Sequence, residues 1–508
     1  MNQILNLGLI GVSFAFVLLS TYTVAKVVYN ILSHPLRKYP GSIFAASTSI
    51  PLLYARVTGN IVKWTHAQHQ RYGEVVRVSP NELSFIDPGA WKDIYGHRTA
   101  GKPNFQKDMK LYGPDLFAGE EGAAGIVRAD DSAHGRQRRL VSHAFSDKAL
   151  KEQEPLFKQY VDLLVQKVSA IAEKDPTAKI NLVDWYNFTT FDIMADLTFG
   201  EPLHLLDKSK YLPWVSAIFG SIKVGTYEQV FGTMPFVKSI LNKMIPKSVL
   251  EKRKLHMSHT IDRVNKRLAV KTDRPDIWTY VLRHSDSDSA AQKGLSGLEM
   301  YSNAATFMVA GTETTATQLG GVTYQLLKKP EAMARLVAEV REAFPTKEDI
   351  TMVALARLEF LNACLEEGLR IYPPVPLGLP RITPTQGAVV CGKEVPGGAV
   401  VSLPQYAAYH SPSNFKNPDD FIPQRWLPEA EKEFAGDNKN TLQPFSFGPR
   451  NCVGKNLAYH EMRLVLATVL WNFDLTFCEE SDNWPDQQCY SLWEKHPLLV
   501  KLTPIRRT

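Results

Sequence analysis

Between Ile4 and Ala25 the chain carries no charged residue. The run ILNLGLIGVSFAFVLLSTYTVA is as long as the roughly 20 residues that cross a bilayer as a helix. In hydrocarbon every backbone N–H and C=O must be satisfied within the segment, so an isolated apolar run there is confined to the α-helix. A secretory signal competes with this reading, but its apolar part spans only about 7–15 residues and follows a basic start. Here no Lys or Arg precedes the run, and Lys26, Arg37 and Lys38 follow it. The positive-inside rule then puts the rest of the chain on the cytoplasmic side. Next comes HPLRKYPGS, in which Pro35 and Pro40 cannot continue a helix and Gly41 loosens the backbone. The expected organisation is an N-terminal transmembrane anchor over 1–30, a proline-containing hinge over 31–45 and one large body over 46–508.

Composition narrows what the body does. The 508 residues include 58 basic and 52 acidic side chains, a formal charge of +6 that is too thin to argue for nucleic acid. A charged fraction of 22% is close to the roughly 25% of globular chains and excludes wholesale disorder. The slightly negative mean hydropathy excludes a protein that crosses the membrane many times. Five cysteines are an odd number, and no spacing among them suggests a zinc site or a redox pair. Most read as thiols in a reducing compartment. The sequon at Asn187 is then a chance match.

Along the body, EVVRVSP and ELSFID alternate around a Pro-Asn turn and predict a hairpin. From about 130 to 345 the periodicity is mostly helical, with polar breaks at Asp273–Pro275 and Ser285–Ser296. A long helix is expected over Leu298–Leu327 and a final one over Asn456–Phe473, with strands near Ala388–Val395 and Ala399–Leu403. The fold class is mainly α with a smaller β region.

The segment FSFGPRNCVGKNLA separates Cys452 from the other cysteines. Gly448 and Gly454 let a loop turn tightly and let amides approach the sulfur. The following helix aims its positive end at the same atom, which favours thiolate. A thiolate held this way suits heme iron as an axial ligand. The pattern F-x-x-G-x-R-x-C-x-G, met here by Phe445, Gly448, Arg450, Cys452 and Gly454, resembles the heme signature of the cytochrome P-450 family. The resemblance implies that Cys452 ligates the iron of heme b, with Phe445 and Gly454 beside the sulfur and Arg450 on a propionate.

Other segments extend it. Glu367 and Arg370 share a helix face and alone would read as an ordinary surface pair. The family joins such a pair to a downstream P-x-R-[FW], here Pro423, Arg425 and Trp426, to form a structural triad. In AGTETT, Gly311 costs about 1 kcal/mol in a helix, which suggests close approach to the backbone. Glu313 and Thr314 beside it fit a solvated acid and a self-bonded hydroxyl equally well. The resemblance places them over the distal heme face as the catalytic proton-delivering pair. His134 and Arg138 resemble the family's W-x-x-x-R propionate clamp, with His in place of Trp, and Arg381 resembles a further propionate ligand. Phe307, Leu377 and Leu379, with Phe105, Leu116 and Phe117, fit ordinary core better than pocket walls; as walls they would suit an apolar small molecule.

What the resemblance implies is a cytochrome P-450 fold behind the transmembrane helix, acting as a heme-thiolate monooxygenase. It would insert one atom of O2 by hydroxylation, epoxidation or multistep oxidation. Electrons would come from NADPH through a separate flavoprotein reductase, and Lys455 and Arg136 are candidates for its acidic face. The enzyme would sit in the endoplasmic reticulum membrane as a single-pass protein with a cytosolic catalytic domain. HPLRKYPG, RQRRLVSHAFS and PQRW look most like fungal enzymes that tailor terpenoids, polyketides or alkaloids. Primary-metabolic or detoxifying monooxygenases are the alternative within the family. A heme-thiolate isomerase or dehydratase needs no external electrons and commonly lacks the acid–alcohol pair.

Overall fold

The computed structural model of the chain describes residues 2–98, 103–110, 112, 123–232, 247–285 and 294–505. The first helix, α1 (Asn2–Leu32), contains the apolar run and continues seven residues past Ala25. Its stretch Ser13–Leu32 is long and apolar enough to cross a membrane and is almost wholly outside the protein core. The expected hinge is a packed connector. Leu36 is fully buried, Asn30 donates to the Ser47 carbonyl, and Arg77 donates back to the Asn30 carbonyl. Tyr39 reaches across to the Glu394 carbonyl. Prolines 35 and 40 stop the helix as expected; the side chains around them then fix the direction in which it leaves the body.

Two short helices follow, α2 (Ile43–Ser47) and α3 (Ile50–Val57), and leave Ile43, Phe44, Ile50 and Tyr54 exposed beside the exit of α1. The predicted hairpin forms as β1 (Val75–Ser79) and β2 (Glu82–Phe85), paired antiparallel with Val75 opposite Phe85. It belongs to a five-stranded sheet. The other members are β3 (Gln106–Lys107), β4 (Arg381–Ile382) and, after a separate hairpin, β7 (Val400–Ser402). The stretch Ala388–Val395 is that hairpin rather than one strand: β5 (Ala388–Val390) and β6 (Lys393–Val395) turn at Cys391 and Gly392, both with positive φ.

The helical body is built from α4 (Asp131–Ser142), α5 (Asp147–Lys174), α6 (Leu182–Phe199), α7 (Gly297–Lys328), α8 (Glu359–Ile371) and α9 (Lys455–Asn472), among others. Helix α7 matches the predicted one to within a residue at each end. Ser296 and Glu299 close its start with a capping box, and Pro330 lies just beyond its end. It is apolar or small on nearly every side because it runs through the middle of the core, and α6, buried from Leu182 to Phe199, packs along it. Gly311 lies against α6: a Cβ there would lie 2.7 Å from the Met194 sulfur. That contact explains a helix-weakening glycine at mid-helix. The polar sequence 286–293 lies outside the described residues, as do the pocket candidates Leu116 and Phe117.

Because Asn30 and the residues after it are tied to the body, the separable unit ends before Tyr29. A chain lacking residues 1–28 is expected to leave the membrane fraction while keeping the melting temperature of the full-length protein. Full retention on membranes after carbonate washing would place the main attachment elsewhere.

Candidate active site

Glu367 and Arg370 are not a surface pair: both side chains are fully buried. Arg370 donates Nε to Oε2 at 2.9 Å and Nη2 to Oε1 at 2.8 Å. Arg425 joins at 3.1 Å, the Trp426 indole donates to the same carboxylate at 2.9 Å, and the Ile422 amide donates at 2.8 Å. Burial raises the pKa of Glu367, but the two guanidiniums outweigh it and hold the carboxyl below its ordinary value. The remaining donors of Arg370 and Arg425 satisfy backbone carbonyls at Tyr409, Asp420, Lys416 and Asn417. The expected triad is present, and it fastens the irregular chain that leads to Cys452.

The cysteine loop hangs from that chain. Gly448 has φ +73°, and a Cβ there would meet the Tyr95 carbonyl at 2.0 Å, so this turn accepts only glycine. The Cys452 amide donates to the Phe445 carbonyl at 2.8 Å, which folds the loop back on itself. Three residues later α9 begins, and its first turn faces the sulfur. Cys452 opens into a largely apolar cavity of about 330 Å³, shared with Phe445, Gly454, Phe307, Ala310 and Thr314. The sulfur is open to this void although the loop lies deep in the fold. Burial raises the thiol pKa, and the Gly454 amide, Arg138 and Lys455 draw it back down. Burial wins, so the net shift is upward.

One side of the cavity is positive. Arg450 lines it, and its Nη2 bonds the Ala129 carbonyl at 2.9 Å and Asp131 at 2.7 Å, while Nη1 is buried without a partner among the described residues. Arg381 lines it too, 4% exposed, bonded to the Tyr112 hydroxyl at 2.7 Å and stacked over Tyr95. Lys107, which the sequence reading did not single out, stands directly opposite Arg381 in the β3–β4 pair. Like charges at directly opposed positions destabilise a sheet. Burial, with Arg381 and Arg450 nearby, pushes the Lys107 ammonium down to about 7. These groups gather positive charge against an apolar void, with one donor left over.

The W-x-x-x-R analogy departs from expectation. Arg138 donates to the carbonyl and side-chain oxygen of Asn451, so it grips the cysteine loop one residue before the sulfur and does not line the cavity. His134 is buried but is not a cavity-lining residue either. Burial, with Arg450, Lys107 and Arg138, lowers it to about 4, so it stands as neutral imidazole among cations. Arg136, a candidate for partner docking, is spent on Glu299 and the Gly294 carbonyl. Phe105 is core packing under Arg98 and not a wall of the cavity. Phe307 and Leu379 are walls, and Leu377 lines an adjoining cavity of about 240 Å³ that shares Tyr112, Val375 and Leu379. Thr314 faces the Cys452 cavity, half-buried, and its hydroxyl donates to the Ala310 carbonyl at 2.7 Å. Glu313 does not share that cavity: it pairs with Lys495 at 2.5 Å and faces another.

A family profile described as Cytochrome P450 matches residues 48–502. The chain belongs to the cytochrome P450 family. It is 50% identical over 482 residues to cytochrome P450 monooxygenase efuB of Hormonema carpetanum, covering 95% of this chain and 94% of that protein. It is 46% identical over 481 residues to cytochrome P450 monooxygenase FUM2 of Gibberella moniliformis, covering 94% and 100% respectively. Cytochrome P450 monooxygenase astJ of Aspergillus oryzae is 42% identical over 480 residues, covering 94% of each chain.

Cytochromes P450 carry heme with a cysteine thiolate on iron and receive electrons from a redox partner. The residues of this P450 fit that group. A cavity-facing sulfur sits among apolar walls, and the cations Lys107, Arg381 and Arg450, the last already paired with Asp131, offer the positive charge that two carboxylates require. Asn187, where the sequon falls, is 2% exposed inside α6 and is no glycan acceptor in the folded protein. Lys107 escaped the sequence reading because its partner strand is more than 270 residues away and no local pattern links them.

The cation cluster predicts a pH effect in the heme-free protein. A lysine at about 7 in the fold and about 10.5 unfolded binds fewer protons folded than unfolded between those values. Its contribution is therefore fully favourable only above the unfolded value and is lost as pH falls toward 7. The melting temperature of wild type relative to Lys107→Met should rise between pH 7 and 10, and heme loading should flatten the difference. A difference independent of pH would show that Lys107 is not held among cations.

Proposed function

We propose that the chain is a membrane-anchored heme-thiolate monooxygenase that inserts one oxygen atom into an apolar small molecule. The observation that carries this is that the Cys452 sulfur and the Thr314 hydroxyl open into one apolar cavity. Thiolate-ligated heme supplies dioxygen activation and O–O cleavage. The protein side of the reaction falls to named groups. Cys452 holds the iron. Arg450, Arg381 and Lys107 hold the propionates, while Arg138 and His134 support the loop and the cation cluster from behind. Phe445 and Gly454 shape the sulfur's surroundings. Phe307, Ala310 and Leu379 exclude water and orient the substrate by apolar contact. The Thr314 hydroxyl donates its hydrogen bond to the Ala310 carbonyl, which leaves its oxygen free to accept from a proton-bearing group inside the cavity. Glu313 is the acid that supplies those protons.

The adjoining cavity, which shares Tyr112, Val375 and Leu379, extends the mostly apolar space next to the Cys452 cavity. The relatives named above are fungal P450 monooxygenases, and together with the HPLRKYPG, RQRRLVSHAFS and PQRW segments they support a tailoring step in fungal secondary metabolism, on a terpenoid, polyketide or alkaloid. The redox partner is an NADPH-dependent flavoprotein reductase at the endoplasmic reticulum. The apolar α1 and the exposed Ile43, Phe44, Ile50 and Tyr54 beside it support a membrane-seated body with its catalytic part, residues 46–508, in the cytosol. Residues 1–30 are the anchor and 31–45 the connector.

Reduced protein treated with carbon monoxide should show the red-shifted Soret band of a thiolate ligand, and Cys452→Ser should abolish it. A band at the position of histidine ligation, or one unchanged in the variant, overturns the reading. With reductase and NADPH, Thr314→Ala should raise the peroxide released per NADPH consumed. The same ratio as wild type would remove Thr314 from proton delivery.

A further inference from the structure

The cavity that adjoins the Cys452 cavity contains an ion pair that does not close. Arg56, in the last turn of α3, and Glu82, in β2, both line it, and neither lines the Cys452 cavity. Their nearest atoms, Nη2 and Oε1, stand 4.0 Å apart, beyond hydrogen-bond reach. Neither side chain has a hydrogen bond among the described residues. Both are largely withdrawn from solvent: Glu82 is 8% exposed, and the Arg56 side chain 18%. More exposed pairs in the same chain do close. Arg335 meets Glu429 at 2.7 Å, and Arg283 meets Asp273 at 3.1 Å.

The backbone sets the gap. β2 is paired on both edges, with Glu82 opposite Ser79 in β1 and Val400 in β7, so its main chain is fixed. The hydroxyls of Ser79 and of Ser49, which precedes α3, are 2.9 Å apart and tie helix to sheet. A carboxylate and a guanidinium that face each other without touching leave acceptors and donors open to the cavity. Burial raises the pKa of Glu82, Arg56 opposes this, and Asp108 adds to it. A ligand carboxylate there would gain from Arg56 but face Glu82 and Asp108. An ammonium would gain from Glu82 but face Arg56. One neutral oxygen that both accepts and donates satisfies the two together. With hydrogen bonds of about 2.8 Å to each side, such an oxygen bridges the gap at an angle of about 90°. A hydroxyl has both capacities.

We propose that Arg56 and Glu82 form a subsite for a hydroxyl group of the substrate, which accepts from the guanidinium and donates to the carboxylate. The substrate class is then an apolar molecule that carries a hydroxyl apart from the carbon to be oxidised. This rests on the reading of the Cys452 cavity as the place of oxidation, and adds which functional group the substrate presents outside it. The two cavities share Tyr112, Val375 and Leu379, so one molecule can extend from the first into the second. Leu52, Ile61 and Val78 give the second one apolar walls, and a hydrogen bond is stronger in such surroundings than in water. No covalent bond changes at this subsite; its effect is selection. A site built to hydrogen-bond a hydroxyl discriminates against the analogue that lacks it, because the protein's polar groups are then left unpaired.

The test uses heme-loaded full-length protein and four probes with one chain length: 1-decanol, its methyl ether, decanoate and decyltrimethylammonium. By titration calorimetry 1-decanol should bind about 10-fold more tightly than each of the others, the worth of one hydrogen bond. A crystal structure with 1-decanol should place its oxygen between Arg56 and Glu82. Equal affinity for alcohol and ether, a preference for either charged probe, binding by none of the four, or an oxygen located elsewhere overturns the proposal. Variants separate the two roles. Glu82→Leu should abolish the preference for alcohol over ether and tighten decanoate, whereas Glu82→Gln, which still accepts, should keep that preference. Arg56→Met should weaken alcohol and ether alike by about 10-fold, and Arg56→Lys should restore most of the loss. Wild-type affinities in Glu82→Leu and Arg56→Met would sink the subsite and leave the monooxygenase reading intact. Neither measurement uses turnover, so absence of the thiolate band in wild type would remove the function reading while calorimetry and the crystal structure still decide the subsite.

Discussion

The Glu367 carboxylate is the point on which the heme side of the fold depends. It lies where solvent cannot reach, yet accepts from Arg370, Arg425, Trp426 and the Ile422 amide. A buried ion pair of this kind adds little net stability, because desolvation consumes most of the Coulombic gain. Removing one member is another matter, since it leaves an uncompensated charge in the core. The network therefore acts as a register device. It admits one path for the chain between α8 and the cysteine loop, and the sulfur of Cys452 lies at the end of that path. Asp437, which pairs with Arg425, extends the same hold to the last irregular stretch before Phe445.

Around the cavity, charge is divided by face. Lys107, Arg381 and Arg450 come from β3, β4 and the cysteine loop, and meet only because the five-stranded sheet and α4 bring those segments together. Their mutual repulsion is a cost the polypeptide retains, and a pair of bound carboxylates would relieve it. The opposite logic holds at α7. There the acid is paired with Lys495 and turned toward a second cavity, while its neighbour Thr314 looks into the Cys452 cavity. A single helix thus lies between two cavities, and two adjacent residues face one each.

Much of this was legible in the residues themselves. The limits of α7 follow from the Ser296–Glu299 capping box and Pro330, and α9 from the end of the glycine-rich loop. The hairpin of β1 and β2 follows from alternation around a Pro-Asn turn. The triad follows from a helical i, i+3 spacing and a later arginine. What misled the reading were positions where a local pattern has two tertiary outcomes. Arg138 keeps its place on α4 but reaches Asn451 rather than the cavity, and Arg136 is absorbed by Glu299. The segment Ala388–Val395 looked like one strand because the turn residues Cys391 and Gly392 sit inside an apolar-rich run.

The sequence by itself determined the apolar N-terminal helix, the cysteine set apart from the others and the order of the helical elements, because each rests on neighbours along the chain: an uncharged run, glycines beside a thiol, spacings of three and four. Tertiary structure alone decided the environments. It placed Lys107 against Arg381, gave Glu313 to Lys495 and set Thr314 and Glu313 on different cavities. Those outcomes depend on which side chains desolvate one another across long stretches of chain, and burial strengthens such charge–charge interactions in a way that no local spacing records.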